Sequence, residues 1–382
     1  MPHAAGKDGK FGIIVSGGPA PGINSVIASA VIEANKSGYG VIGFLDGFKG
    51  AYSDKSDSCV ELTIPDVSTI FNSGGSILGS SRFNPFKHPA GRERLVSSFQ
   101  RHKIDKLIVI GGEGSAFLSR ELLRHIPGIK VVHIPKTIDN DLVLANKYPS
   151  FGFETALDAG AKILHTLSVD AKTTKSFFLI SSMGRKAGFL ALGLGLTSGA
   201  MLTLIPEEFA RYSVTPRDIS AIIAAAIKKR FEMKRPYGII IVAEGVLECI
   251  DPSSSDVLQN APRDEIGRLA YSQVELDDVL MPSLKEQLGE LGIKTKINAK
   301  NIGYELRCHD PIAFDIEYTK FLGYGAVQLM LQGKSGVIVT RDFDKIGHQD
   351  LRTVVPDEGE IITRQVHLDS DLYKVACRFM IR

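Results

Sequence analysis

The sequence predicts an α/β protein of two lobes, each built on a mostly parallel sheet with helices on both faces. Three observations lead there. Short apolar runs alternate with stretches that carry apolar residues at helical spacing, the order of repeated βαβ units. Glycine-rich or polar clusters stand where the apolar runs end, on the edge of an open α/β sheet where ligands bind. The 382 residues exceed one typical domain, which favours two lobes.

In chain order, Phe11 to Val15 reads as a strand and Gly17 to Gly22 as a turn too glycine-rich for helix interior. Ile23 to Ser37 follows as a helix, with Ile23, Val26, Ile27, Ala30 and Val31 at helical spacing. A helix that starts beyond a glycine turn presents free backbone N–H groups, which favour an anion. Val41 to Leu45 is the next strand, and the segment from Phe71 to Lys87 shows little periodicity but carries Gly74, Gly75, Gly79 and Arg82. Then come a helix over Ala90 to His102, a strand over Lys106 to Ile110, the turn Gly111-Gly112-Glu113-Gly114-Ser115 and a helix over Ala116 to His125. Val131 to Ile134 is a buried strand that opens into Pro135-Lys136-Thr137-Ile138-Asp139-Asn140-Asp141.

Beyond it, Phe153 to Thr173 reads as an amphipathic helix and Phe177 to Ser182 as a strand ending in Met183-Gly184-Arg185. A helix (Lys186 to Thr197), a strand (Met201 to Ile205), a helix (Pro216 to Phe231) and a strand (Gly238 to Ala243) ending in Glu244-Gly245 continue the alternation. Residues 250–300 hold a serine loop and two helices. Gly303 to Arg307 leads into a long helix over Pro311 to Leu331, then a strand over Gly336 to Thr340. The tail from Asp369 reads as a helix with Leu372, Val375, Ala376 and Phe379 on one face.

Composition narrows the function classes. Hydrophobic content of 44% and charged content of 23% suit a soluble globular protein, and a net charge of +2 gives no reason to expect nucleic acid or a membrane surface. Cys59, Cys249, Cys308 and Cys377 are far apart and are expected to be reduced, as in a cytoplasm. Met1 to Lys10 is polar and reads as no secretory signal, and no apolar run reaches the length of a membrane span.

The chemistry is expected at Lys136 to Asp141. Two carboxylates at i and i+2 with a lysine and a threonine upstream suit phosphoryl transfer to a hydroxyl: one carboxylate accepts the proton and a cation steadies phosphate oxygens. An Asx-rich turn before a helix is the plainer explanation of Asp139-Asn140-Asp141 alone. Three motif-bearing strand ends weigh against it. A dinucleotide-binding domain is a poor fit, since no Gly-x-Gly-x-x-Gly follows the first strand.

Together, Ser16 to Asn24, Gly79-Ser80-Ser81-Arg82, Gly111 to Ser115, Pro135 to Asp141, Met183-Gly184-Arg185 and Ala243-Glu244-Gly245 resemble the 6-phosphofructokinase family over roughly residues 10–340. The resemblance implies two Rossmann-like lobes: residues 1–150 binding the phosphoryl donor, with 320–382 packing back on them, and 151–319 binding a sugar phosphate. It implies transfer to the C1 hydroxyl of fructose 6-phosphate, with Asp139 as base and Thr137, Asp141, Lys136 and Arg82 as the other catalytic residues. Gly17, Gly18, Arg82, Phe83, Gly112, Glu113, Gly114 and Ser115 would bind the donor, and Glu113 would hold Mg²⁺ through its phosphates. Met183, Gly184, Arg185, Glu244, Tyr304 and Arg307, with Thr137 and Asp139, would bind the sugar phosphate. A homodimer or homotetramer is implied.

Departures from the family pattern concern metal, assembly and donor. Glu113 replaces the usual aspartate, Ser176 beside Lys175 replaces an arginine lent to a neighbouring subunit, and Ala28 and Ile32 replace effector-binding arginines. Pyrophosphate users typically have aspartate at Gly114 and lysine at Lys136, and ATP users glycine at both. The mixture here makes ATP the expected donor and pyrophosphate the alternative, with a catalytically silent paralogue as a further one. Leu118, where a glycine usually lies near adenine, weighs against ATP.

Overall fold

The computed structural model describes residues 9–145, 148–210, 213–263, 269–356 and 361–382. Met1 to Asp8 of the polar start lie outside the described residues. The strands are β1 (Lys10–Val15), β2 (Gly40–Phe44), β3 (Cys59–Leu62), β4 (Ile104–Gly111), β5 (Lys130–Pro135) and β6 (Phe177–Ser182). They continue as β7 (Leu202–Leu204), β8 (Gly238–Ala243), β9 (Ile297–Ile302), β10 (Val337–Asp342) and β11 (Lys345–Asp350).

One unit comprises residues 1–156 with 304–364, and a second comprises 157–303 with 365–382. The sheet of the first runs β11-β10-β5-β4-β1-β2-β3. Its five central strands are parallel and only the two edge strands are antiparallel. The second sheet, β7-β8-β6-β9, is parallel throughout. Parallel strands are covered on both faces, which is why β4, β5, β6 and β8 read as continuous apolar runs. The edge strands β3, β9 and β11, which the sequence did not reveal, read Cys-Val-Glu-Leu, Ile-Asn-Ala-Lys-Asn-Ile and Lys-Ile-Gly-His-Gln-Asp. Polar and charged residues at a sheet edge discourage pairing with other chains, and they also erase the apolar signal.

The division differs from the expected 1–150, 151–319 and 320–382 at three points: residues 151–156 fall in the first unit, and the two larger shifts each have a packing reason. The helix Ala313–Leu331 lies along the helix Ile23–Lys36, where a Cβ on Gly323 would stand 2.6 Å from the Val26 carbonyl oxygen. Ser25 and Ser29 hydroxyls donate to the Ile316 and Lys320 carbonyls at 3.3 and 2.5 Å. That contact draws 304–319 into the first unit. The last residues go with the second, because Ile381 N donates to Met201 O at 2.7 Å and Arg382 Nη2 meets Glu208 at 2.7 Å. In the tail helix Asp371–Phe379 only Ala376 of the expected apolar face is buried; Leu372, Val375 and Phe379 are exposed.

Asp315, fully buried, caps the helix Phe153–Thr174 from outside its own sequence: its carboxylate accepts from Gly152 N at 2.8 Å and from Thr155 N at 2.9 Å. The orphan donors of a helix start need such a partner. No helix among the described residues is long and apolar enough to cross a membrane, and all four cysteines are free thiols.

Candidate active site

β5, β4 and β1 are neighbours in the first sheet, so their carboxyl ends bring three motifs to one edge: Lys136 to Asp141, Gly112 to Ser115, and Ser16 to Gly18. The helix after β4 begins at Glu113, earlier than the expected Ala116, with Gly112 as its cap. Glu113, Gly114 and Ser115 therefore form a helix first turn, where backbone N–H groups and the helix dipole favour negative charge.

Gly17 has φ +88°, a left-handed conformation that glycine adopts without steric cost. A Cβ there would lie 3.7 Å from Lys136 Nζ and 3.8 Å from Ser115 Oγ, so these residues face one another. Gly17 N donates to Ser81 O at 2.9 Å, which sets Arg82 beside the end of β1. Asn24, which ends the first motif with no role assigned to it, holds the same loop: its side chain accepts from Ile77 N at 2.9 Å and donates to Ser73 O and Gly74 O at 3.2 Å. Phe83 stacks on His88, with centroids 4.4 Å apart, and leans on Tyr52.

Lys136 is the centre of the cluster. It is 3% exposed, and its ammonium donates to the Gly18 carbonyl. Burial above all, then the Arg307 and Arg82 cations, bring it down to about 7, against the pull of Asp139 and Asp141. Arg307 approaches from the segment after β9: a Cβ on Gly18 would run into its guanidinium, which also lies 5.2 Å from the centre of the exposed Tyr304 ring. Within the first unit, three cations and two carboxylates thus meet at the strand ends. Thr137 Oγ1 accepts from Asp139 N at 3.0 Å and closes the turn that presents Asp139.

Behind the cluster lies His133, 1% exposed and also unremarked in the sequence, where it reads as part of an apolar strand. Its Nε2 is 2.9 Å from Gly111 O, which also accepts from Lys136 N at 2.9 Å, and its Nδ1 is 3.2 Å from Ser119 Oγ. A carbonyl only accepts, so Nε2 carries the proton. Burial lowers the pKa to about 3 from the ordinary 6.5. The unfolded chain takes up a proton below 6.5 that the native state refuses, so this contribution to stability is complete above 6.5 and fades as pH falls towards 3. The stability advantage of the wild type over His133→Gln should therefore shrink below pH 6.5, by roughly 1.4 kcal/mol per unit. Urea unfolding of both proteins from pH 7 to 4.5 measures it; a pH-independent difference would refute the assignment.

In the second unit β6 and β8 are neighbours, and their ends carry Met183-Gly184-Arg185 and Glu244-Gly245. A Cβ on Gly245 would run into the Arg185 carbonyl, and one on Gly303 into the Met183 side chain. The two loops are thus packed tightly. Arg185 Nε donates to Glu248, and the following helix begins at Phe189 instead of Lys186. Met183, Gly184, Arg185 and Glu244 form one group in this unit; Tyr304 and Arg307 belong to the first.

The remaining substitutions are also placed. Leu118 is 5% exposed in the core cluster with Phe44, Phe48, Leu95 and Phe99, so it presents little surface to an adenine. Ser176 is buried and bonded to Thr174, and Ala28 is buried in the core. Among the described residues no cluster of three or more His, Cys, Asp or Glu is placed to hold a metal ion, and Glu113 is the carboxylate in the first turn of the helix after β4. Glu113, at the helix start, would then share Mg²⁺ with the donor's own oxygens, the way this ion is commonly bound.

Parallel α/β sheets with glycine turns and a cation cluster at their strand ends define a phosphate-handling α/β enzyme. The chain belongs to the phosphofructokinase family, whose sequence profile, described as "Phosphofructokinase", covers residues 10–330. It is a phosphotransferase with an alcohol group as acceptor. It is 41% identical to a protein of Naegleria fowleri named pyrophosphate–fructose 6-phosphate 1-phosphotransferase, over 97% of this chain and 88% of that one. Identity is 31% to the ATP-dependent 6-phosphofructokinase of Corynebacterium efficiens, over 88% and 91%. A crystal structure from Nitrosospira multiformis, titled pyrophosphate-dependent phosphofructokinase, shares the fold with a TM-score of 0.72 at 21% identity, over 97% and 90%.

Proposed function

We propose that the chain transfers a phosphoryl group from pyrophosphate to the C1 hydroxyl of fructose 6-phosphate, giving fructose 1,6-bisphosphate. The observation that carries the transfer is the buried Lys136 among Arg82, Arg307, Asp139 and Asp141. Asp139 accepts the hydroxyl proton, while Thr137 and Asp141 orient the acceptor. Lys136 and Arg82 steady charge on the moving phosphoryl, and the donor rests on backbone at Gly17, Gly18, Gly112, Gly114 and Ser115, beside Phe83. Glu113 is the proposed protein ligand for Mg²⁺, which when bound offsets the charge of the donor phosphates. Met183, Gly184, Arg185, Glu244, Tyr304 and Arg307 bind the sugar phosphate. The setting proposed is cytoplasmic, as a homodimer or homotetramer.

Pyrophosphate is preferred to the ATP expected from the sequence because the 41% identical relative, matched over 97% of this chain, is named for it. One observation favours ATP as a second reading. Gly114 carries no carboxylate, and a Cβ there would meet nothing within 4 Å, so the space an α-phosphate needs is open.

Initial rates with fructose 6-phosphate and each donor decide between them, and Gly114→Asp sharpens the test. Like charges about 4 Å apart repel by roughly 4 kcal/mol at an effective dielectric near 20, close to a thousandfold. The variant should keep pyrophosphate turnover and lose whatever ATP turnover the wild type has. A wild type that turns over saturating ATP but not pyrophosphate would exchange the two readings.

A further inference from the structure

Between the two carboxylates of the central motif stands Asn140, 5% exposed and with φ +56°. A left-handed residue other than glycine persists only where its surroundings hold it. Two donors do so: Asn140 Oδ1 accepts from Ser150 N at 3.1 Å and from Arg364 Nη1 at 3.3 Å. Arg364 grips the loop a second time, its backbone N–H donating to the Asp141 carbonyl at 2.7 Å. One residue along on each side, Leu142 and Thr363 form an antiparallel bridge. A segment more than two hundred positions downstream therefore closes on the turn that presents Asp139 and Asp141.

We infer that Arg364 is a positioning residue for phosphoryl transfer, fixing the Asp139–Asp141 turn through the Asn140 side chain. The inference rests on the reading of Asp139 as the base. A guanidinium suits the task because it is always charged and presents rigid donors, and a charge-assisted bond to an amide oxygen is stronger than a neutral one. Without the guanidinium the Asn140 side chain keeps only the Ser150 bond, and although the backbone bond from residue 364 to Asp141 remains, the middle of the turn can shift. A displacement near 1 Å of a catalytic group costs about a hundredfold in rate.

The experiment uses the full chain with fructose 6-phosphate and with pyrophosphate or ATP, whichever the wild type turns over. It compares Arg364→Met, Arg364→Lys, Asn140→Gly and the Met/Gly double variant below all their melting temperatures. Arg364→Met should lower kcat roughly 10- to 100-fold with KM for both substrates little changed, and Arg364→Lys should recover part of the loss. Glycine tolerates the left-handed turn but removes the gripped amide, so the double variant should be no worse than the poorer single one. A kcat for Arg364→Met within twofold of wild type overturns the inference, and so do additive losses in the double variant. If Arg364→Met does not fold, Arg364→Lys, Asn140→Gly and their double supply the same cycle, and additivity there overturns it. Asp139→Asn in parallel separates the two ideas: full activity in that variant removes the base itself, whereas its loss beside an indifferent Arg364 removes only the inference.

Discussion

Asp139→Asn is expected to lower kcat by about 10²–10⁴ while the protein stays folded, the usual cost of losing a general base. Asparagine keeps the size of the side chain and leaves the backbone N–H that Thr137 Oγ1 accepts at 3.0 Å, so the turn should survive. What disappears is the carboxylate that takes the hydroxyl proton. KM for the sugar phosphate should change little, because the amide still offers an acceptor oxygen to the ground-state hydroxyl. Steady-state kinetics with a far-ultraviolet circular dichroism melt decide it. A folded variant with kcat within a few-fold of wild type would exclude Asp139 as the base and shift attention to Asp141.

The parts legible in the sequence were those whose burial is continuous. β6 and β8 lie inside a parallel sheet, and their apolar runs gave their limits at Phe177–Ser182 and Gly238–Ala243 to the residue. The edge strands β3, β9 and β11 were not legible, because residues such as Lys300 or His348 break the pattern, whereas the edge strand β7, buried throughout as Leu-Thr-Leu, was. Motifs at strand ends were legible through residue type. What sequence reasoning missed is the action of groups through another residue from far away: Arg364 on Asn140, Asn24 on the loop before Arg82, His133 under Gly111. A lone arginine near a chain end, or a histidine inside an apolar run, carries no local signal. Only the register of β4 against β5, which sets His133 beside Val109 and Lys136 beyond Gly111, makes the second of these visible.

Lys136→Met should move stability and activity in opposite directions. Methionine fills nearly the same volume without charge. The buried ammonium has been pushed from 10.5 to about 7, a shift worth a few kcal/mol against the charged form at low pH. Removing it forfeits the bond to the Gly18 carbonyl, worth roughly 1 kcal/mol. The variant should therefore be at least as stable as the wild type below pH 7, and its advantage should fade as pH rises from about 7 towards 10.5, where the wild-type native state is already neutral. Activity should fall by about 10²–10³, the scale seen when one group that stabilises transition-state charge is removed. The pH profile adds a second reading. In the wild type kcat/KM for the donor should decline as pH rises through about 7, as the free enzyme loses the ammonium proton. In kcat the decline should lie at higher pH, because bound phosphate favours the cation, and in Lys136→Met neither decline should remain. A purely structural lysine would lose stability and rate together on substitution. That outcome, or an unchanged profile in the variant, would take Lys136 out of the chemistry.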